Sequence, residues 1–182
     1  MGWIILIVVV AIVLAIIAIY NNLVQLKMRV ENAWAQIDTQ LKRRFDLIPN
    51  LVETVKGYKG YEQETLTKVI EARNKFAAAS DVKDKADANN MLSESLKSIF
   101  ALAESYPELK ANTSFENLQM ELSATEDKIA YARQFYNDTV QMYNSALYTF
   151  PSNIFANMFH FTSKNFFELA NEAEKENVKV QF

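Results

Sequence analysis

The sequence predicts an all-α protein: a single N-terminal transmembrane helix followed by an antiparallel bundle of about four helices, the first and last of them long. Three observations predict it. No Asp, Glu, Lys or Arg precedes Lys27, although the chain of 182 residues holds 19 Lys+Arg and 22 Asp+Glu. Only three Gly and three Pro interrupt it. Beyond the apolar leader, large apolar side chains recur at steps of three and four, the repeat of a helix with one buried face.

Residues 1–24 form the expected anchor. The run from Trp3 to Ile19 is wholly apolar, with IILIVVVAIVLAII at its centre. At about 1.5 Å per residue, a helix of some 20 residues crosses the ~30 Å hydrocarbon core. Trp3 and Tyr20 stand at its two ends, where amphipathic rings prefer the headgroup level. A cleaved signal peptide would need a basic start, a shorter apolar run and an A-x-A-like site. None of these occurs, so an uncleaved anchor is expected. Lys27 and Arg29 follow the anchor and no basic residue precedes it, which favours an outside N-terminus and a cytoplasmic domain.

Residues 25–149 form the expected bundle. Leu23, Leu26, Val30, Trp34, Ile37, Leu41, Phe45 and Ile48 share one helical face, and this stripe begins inside the tail of the anchor. Pro49 has no amide hydrogen and crowds the carbonyl of Phe45, so a kink is expected there. Leu51, Val52, Val55 and Tyr58 resume the stripe, and Gly57 and Gly60 end the helix. A second helix is expected over 63–79, with Leu66, Val69, Ile70 and Phe76 inward. The polar run 81–88 reads as a connector. A third helix carries Met91, Leu92, Leu96, Ile99, Phe100 and Ala103, and ends near Tyr106 because Pro107 follows. The fourth opens on Thr113 and Glu116 as a capping box. Its stripe is Leu118, Leu122, Ile129, Ala132, Tyr136, Val140, Tyr143 and Leu147, and Pro151 stops it. Residues 150–182 are an aromatic-rich segment followed by a polar tail from Asn171 that is expected to fray.

Composition removes several functional classes. Without Cys there is no disulfide, no thiolate catalysis and no Cys-ligated zinc or iron–sulfur site. A net charge of −3 leaves no overall basic footprint for nucleic acid. HExxH, P-loop and GxGxxG patterns are absent. No cofactor, metal ligand set or catalytic residue is expected. His160, the single histidine, suits packing among aromatics better than metal ligation. The acidic neighbours Glu62 and Glu64, and Glu126 and Asp127, are the only carboxylate pairs worth weighing for acid–base chemistry, and on amphipathic helices such pairs ordinarily face solvent.

Two stretches resemble a known family. YNNLVQLKMRVENAWAQIDTQLKRRFDLIPNLVETVKGYKGYE (20–62) is similar to the signature region of the LemA family of bacterial membrane proteins. ALYTFPSNIFANMFHF and the following FFE resemble the family's C-terminal block, in the family's order. The resemblance covers essentially the whole chain. It implies a single-pass anchor and a helical bundle, and brings no reaction. Family members are often encoded near membrane proteases and stress-linked membrane proteins, which implies envelope maintenance. This chain carries Asn157 and His160 in a block where the family usually has glycines.

Two surfaces remain as candidate contacts. Lys42, Arg43 and Arg44 form a basic cluster that would pair with acids, meet an anionic partner or remain solvated. Phe150, Ile154, Phe155, Met158, Phe159 and Phe161 give more apolar surface than a loop needs. They could cap the bundle, lie at the membrane interface or meet another subunit. The lack of basic residues in 150–161 favours packing on protein. The expected function is a non-enzymatic anchored scaffold that contacts lipid, self-associates into a homo-oligomer or docks an envelope protein. An adaptor for an envelope protease or stress pathway is the second reading, and a carboxylate hydrolase the third.

Overall fold

The computed structural model describes residues 1–57 and 63–168. Expectations placed on Tyr58, Gly60, Glu62 and the tail from Asn171 lie outside those residues. Among the described residues there are seven helices and no strand. They divide into two compact units, Met1–Ile37 with Ala132–Phe166, and Asp38–Tyr131 with Phe167–Phe182.

The first unit holds most of α1 (Gly2–Asp46), the second half of α6 (Thr113–Tyr148), and α7 (Ser152–Met158). From Met1 to Tyr20 every residue of α1 is exposed except Ile16 and Ile19, which are half-buried. This stretch is the one helix long and apolar enough to cross a membrane among the described residues. The expected stripe then takes over. Leu23, Val30, Ala33 and Ile37 are buried, as are Tyr136, Val140, Tyr143 and Leu147. The rings of Trp34 and Tyr136 meet at 5.6 Å.

In the second unit, α1 ends at Asp46 and α2 (Ile48–Lys56) begins after the single turn residue Leu47. Pro49 lies in the first turn of α2. A continuous helix would need an amide hydrogen there to reach Phe45, so the chain breaks where proline is best tolerated. The Leu47 amide instead bonds Arg44 at 3.3 Å, three residues back. α3 (Gln63–Ala78) and α4 (Val82–Glu104) form a tightly packed hairpin. The core of this unit joins Phe45, Ile48, Leu51, Leu66, Val69, Leu92, Leu96, Ile99, Phe115 and Leu122. Phe45 stacks on Phe76 at 4.1 Å.

Four expectations are corrected here. Residues 82–88 are not a connector but the first turns of α4, capped by the Asp81 carboxylate, which accepts from the Asp84 amide at 2.8 Å. The buried face of those turns is Ala86, Ala88 and Asn89, too small or too polar to mark a stripe. The cap of α6 is Asn112, whose Oδ1 accepts from the Phe115 amide at 3.0 Å, so the Thr113–Glu116 box is displaced by one residue. Pro107 does more than end a helix: it opens the short α5 (Pro107–Lys110), which buries Leu109. In α3, Ile70 is exposed and Ala72 takes the inward place.

Candidate aromatic interface at the anchor

The first unit gathers the aromatic residues singled out by the sequence beside Tyr20. The ring of Tyr20 meets Phe159 edge-on at 5.0 Å and Phe161 at 5.8 Å. Within α7 only Ala156 is buried; Phe155 and Phe161 are half-buried. Phe150 is 76% exposed, Ile154 53%, Met158 55% and Phe159 42%. Ile154 and Met158 are four residues apart and therefore share a helix face. The segment is thus anchored through Phe159 and Phe161 and leaves a row of large apolar side chains uncovered.

A backbone device holds this arrangement. α7 ends with His160 in the left-handed region, at φ 57. The His160 amide bonds the Asn157 carbonyl at 3.3 Å and the Phe161 amide bonds the Ala156 carbonyl at 2.9 Å. This pair of bonds is the Schellman ending, whose left-handed residue is most often glycine. His160 is an exposed helix terminator. No cluster of metal-holding side chains occurs among the described residues.

Beyond His160 the chain has no regular secondary structure and is tied to α6 by neutral side chains. The Tyr143 hydroxyl donates to the Thr162 carbonyl at 3.1 Å, and the Tyr136 hydroxyl to Asn165 at 2.8 Å. The Asn144 amide both donates to the Lys164 carbonyl and accepts from its amide, each at 2.9 Å. Residues 136, 143 and 144 fall on one helix face at steps of seven and eight, so α6 presents them together. Burial raises the phenol pKa of Tyr136. Burial, joined by the charge of Glu31, does the same for Tyr143.

The basic cluster divides. Lys42 and Arg43 face solvent, whereas Arg44 is buried. Its Nη1 donates to Asn89 Oδ1 at 2.7 Å and to Ser93 Oγ at 3.0 Å, and Nη2 pairs with the Glu126 carboxylate. Burial pulls the Arg44 pKa below its ordinary value, with Glu126 opposing. Arg44 therefore joins α1, α4 and α6 inside the second unit. Lys42 lines a shallow surface cleft with Arg73, Lys85, Asp38 and Asp46, where the charges largely compensate and Lys85 pairs with Asp38. Of the carboxylates weighed earlier, Glu126 serves Arg44, and Glu64 is exposed and pairs with Lys68 at 2.8 Å.

Sequence reasoning found the aromatic residues but missed three things about them. It missed the tyrosine and asparagine ties, because stripe residues were read for their apolar bodies alone. It missed the contact with Tyr20. It also missed a signal in plain view: no Asp, Glu, Lys or Arg occurs from Thr139 to Ser163. This charge-free stretch and the charge-free leader meet in one unit.

Comparison with known proteins agrees with the resemblance. A chain described as Protein LemA from Metamycoplasma hominis is 28% identical over 137 residues, which cover 75% of this chain and 63% of that protein. The present chain thus spans less than two thirds of that relative's length. The LemA family model matches residues 33–182, which include the Arg44 node and the aromatic segment but not the apolar leader. The chain belongs to the LemA family.

Proposed function

We propose that this protein is a non-enzymatic, membrane-anchored helical scaffold that self-associates or docks partner proteins at the bacterial inner membrane. The observation that carries the reading is a surplus of apolar surface. On α6, Phe135 and Met142 are exposed, and on α1 so is Met28, all beyond the anchor. Phe135 and Met142 lie seven residues apart, on one face of α6. Buried polar groups, by contrast, serve the helices themselves: Arg44 and Asn89, with half-exposed Glu126, tie helices together rather than line an open cavity. In this reading α1 from Trp3 to Tyr20 crosses the bilayer, and Lys27 and Arg29 keep the helical domain on the cytoplasmic side.

Photo-crosslinking residues introduced at Phe135 and Met142 in the full-length chain, in native membranes, test the proposal. A product at twice the chain mass supports self-association. A product with one recurring second protein supports docking, and a protease or stress component in that product would favour the adaptor reading that the family analogy suggests. Uncrosslinked chain alone at both positions rejects the scaffold. A hydrolase using carboxylates would turn over generic substrates in the purified protein and lose that turnover in the Glu62→Gln variant.

A further inference from the structure

We infer that α7, with the flanking Phe150 and Phe159, is a second membrane contact that lies in the headgroup–acyl boundary of the leaflet from which the anchor emerges. The inference rests on the anchor reading above and adds to it a lipid-binding site that the anchor does not contain.

Four observations in the first unit carry it. First, Tyr20 stands where the apolar run of α1 ends, and Phe159 and Phe161 touch its ring. Whatever depth Tyr20 adopts, the end of α7 shares. Tyrosine at the end of a transmembrane helix resides at the headgroup level.

Second, the partial cover on α1 reaches past Tyr20 into the apolar run, at Ile16 and Ile19. Ile16 is four residues before Tyr20, about 6 Å along the helix axis. Residues 16, 19, 20 and 23 share one face, so the protein mass around the anchor extends to the depth where acyl chains begin.

Third, the side chains that α7 and its flanks leave uncovered next to this contact are Phe150, Ile154, Met158 and Phe159. An apolar row of this size on a helix at the lipid boundary is the arrangement of an interfacial segment.

Fourth, Asp, Glu, Lys and Arg keep away from it, and the one histidine, His160, stands at its far end. The charges that bracket the segment are Asp138 and Lys164, and the first on the anchor helix is Lys27. Lys27 lies seven residues past Tyr20, about 10 Å along the axis. Charged side chains are costly in hydrocarbon, and their exclusion from both stretches is the pattern lipid contact requires. The Schellman bonds at His160 also satisfy the last carbonyls of α7, which a low-dielectric boundary demands.

The absence of basic residues has a consequence of its own. A peripheral amphipathic helix uses Lys and Arg to find anionic lipid. Here the covalent anchor already supplies the bilayer, so insertion of α7 is independent of anionic lipid.

The chain has no cysteine, so single nitroxide labels can be placed without background. Full-length Ile154→Cys and Met158→Cys proteins are labelled and reconstituted at low protein-to-lipid ratio in phosphatidylcholine nanodiscs. Val9→Cys, within the apolar run, and Ser123→Cys, on the exposed face of α6, serve as the lipid and water references. Accessibility to dissolved oxygen is compared with accessibility to a water-soluble nickel chelate. The expected result is a several-fold shielding of the 154 and 158 labels from nickel relative to 123, unchanged when phosphatidylglycerol is added. Nickel access equal to that at 123, with Val9 shielded, overturns the inference and leaves the anchor standing. Nickel access at Val9 equal to that at 123 removes the anchor and the inference with it. Dipolar broadening of the 154 label, with Val9 shielded, means that this face pairs two copies instead of meeting lipid, which also overturns it.

Discussion

The two units tie their segments together through polar groups, with opposite chemistry. In the second unit the tie is ionic: Arg44 reaches Asn89, Ser93 and Glu126, and Lys85 pairs with Asp38. In the first unit the ties are neutral, two tyrosine hydroxyls and one asparagine amide on the backbone of residues 162–165. A buried ion pair is worth its desolvation cost only with full hydrogen bonding and good geometry. Neutral bonds carry a smaller penalty when water is scarce. The unit that contains the apolar leader thus uses the chemistry that tolerates a dry boundary.

The ionic node offers the largest effect. Arg44→Ala leaves Asn89 and Ser93 facing a cavity, while half-exposed Glu126 recovers water. A loss of about 3 kcal/mol is expected, at the low end for a broken buried pair. Urea unfolding of the full chain in detergent, followed by circular dichroism, measures it; a change below the error would show that the node does not hold the second unit. Asn144→Leu removes two hydrogen bonds and strands both backbone groups of Lys164, for about 2 kcal/mol in the same assay.

Tyr136→Phe removes one bond, for about 1 kcal/mol. It also sharpens the contrast by pH. The folded pKa of Tyr136 is raised above the ordinary 10.0 of the unfolded chain. Its stabilising contribution is therefore fully present below pH 10 and is lost as pH rises through the higher folded value. The Tyr136→Phe protein should lose less stability between neutral and strongly alkaline pH than the parent does. The smallest effect is a gain: His160→Gly relieves a left-handed side chain and should add roughly 0.5–1 kcal/mol, net of the extra freedom glycine has when unfolded. A thermal midpoint unchanged or lowered in that variant would mean that the His160 side chain has a use beyond ending α7.

Much of the fold was legible because it is local. The break beside Pro49 follows from one missing amide hydrogen, and the long α6 from an uninterrupted stripe. The start of α4 was not legible as helix, since alanines and one asparagine make a poor stripe and only close packing of a neighbour gives them an inward face. The inward turn of Arg44 had a faint signal. It stands three residues after Leu41 and four before Ile48, on the stripe, whereas successive residues Lys42 and Arg43 point elsewhere around the helix. Read as a cluster, the three look alike; read by angle, they separate.

By itself the sequence determined the long helices, the break beside Pro49, the apolar leader and the list of aromatic residues near the C-terminal end. These depend on periodicity, proline chemistry and charge, which act over a few residues. Tertiary structure alone decided that Arg44 meets Glu126, that Tyr136, Tyr143 and Asn144 hold the backbone of residues 162–165, and that Phe159 lies on Tyr20. Each of those pairs joins positions far apart in the chain. A helical repeat fixes which way a side chain points but not what it finds there.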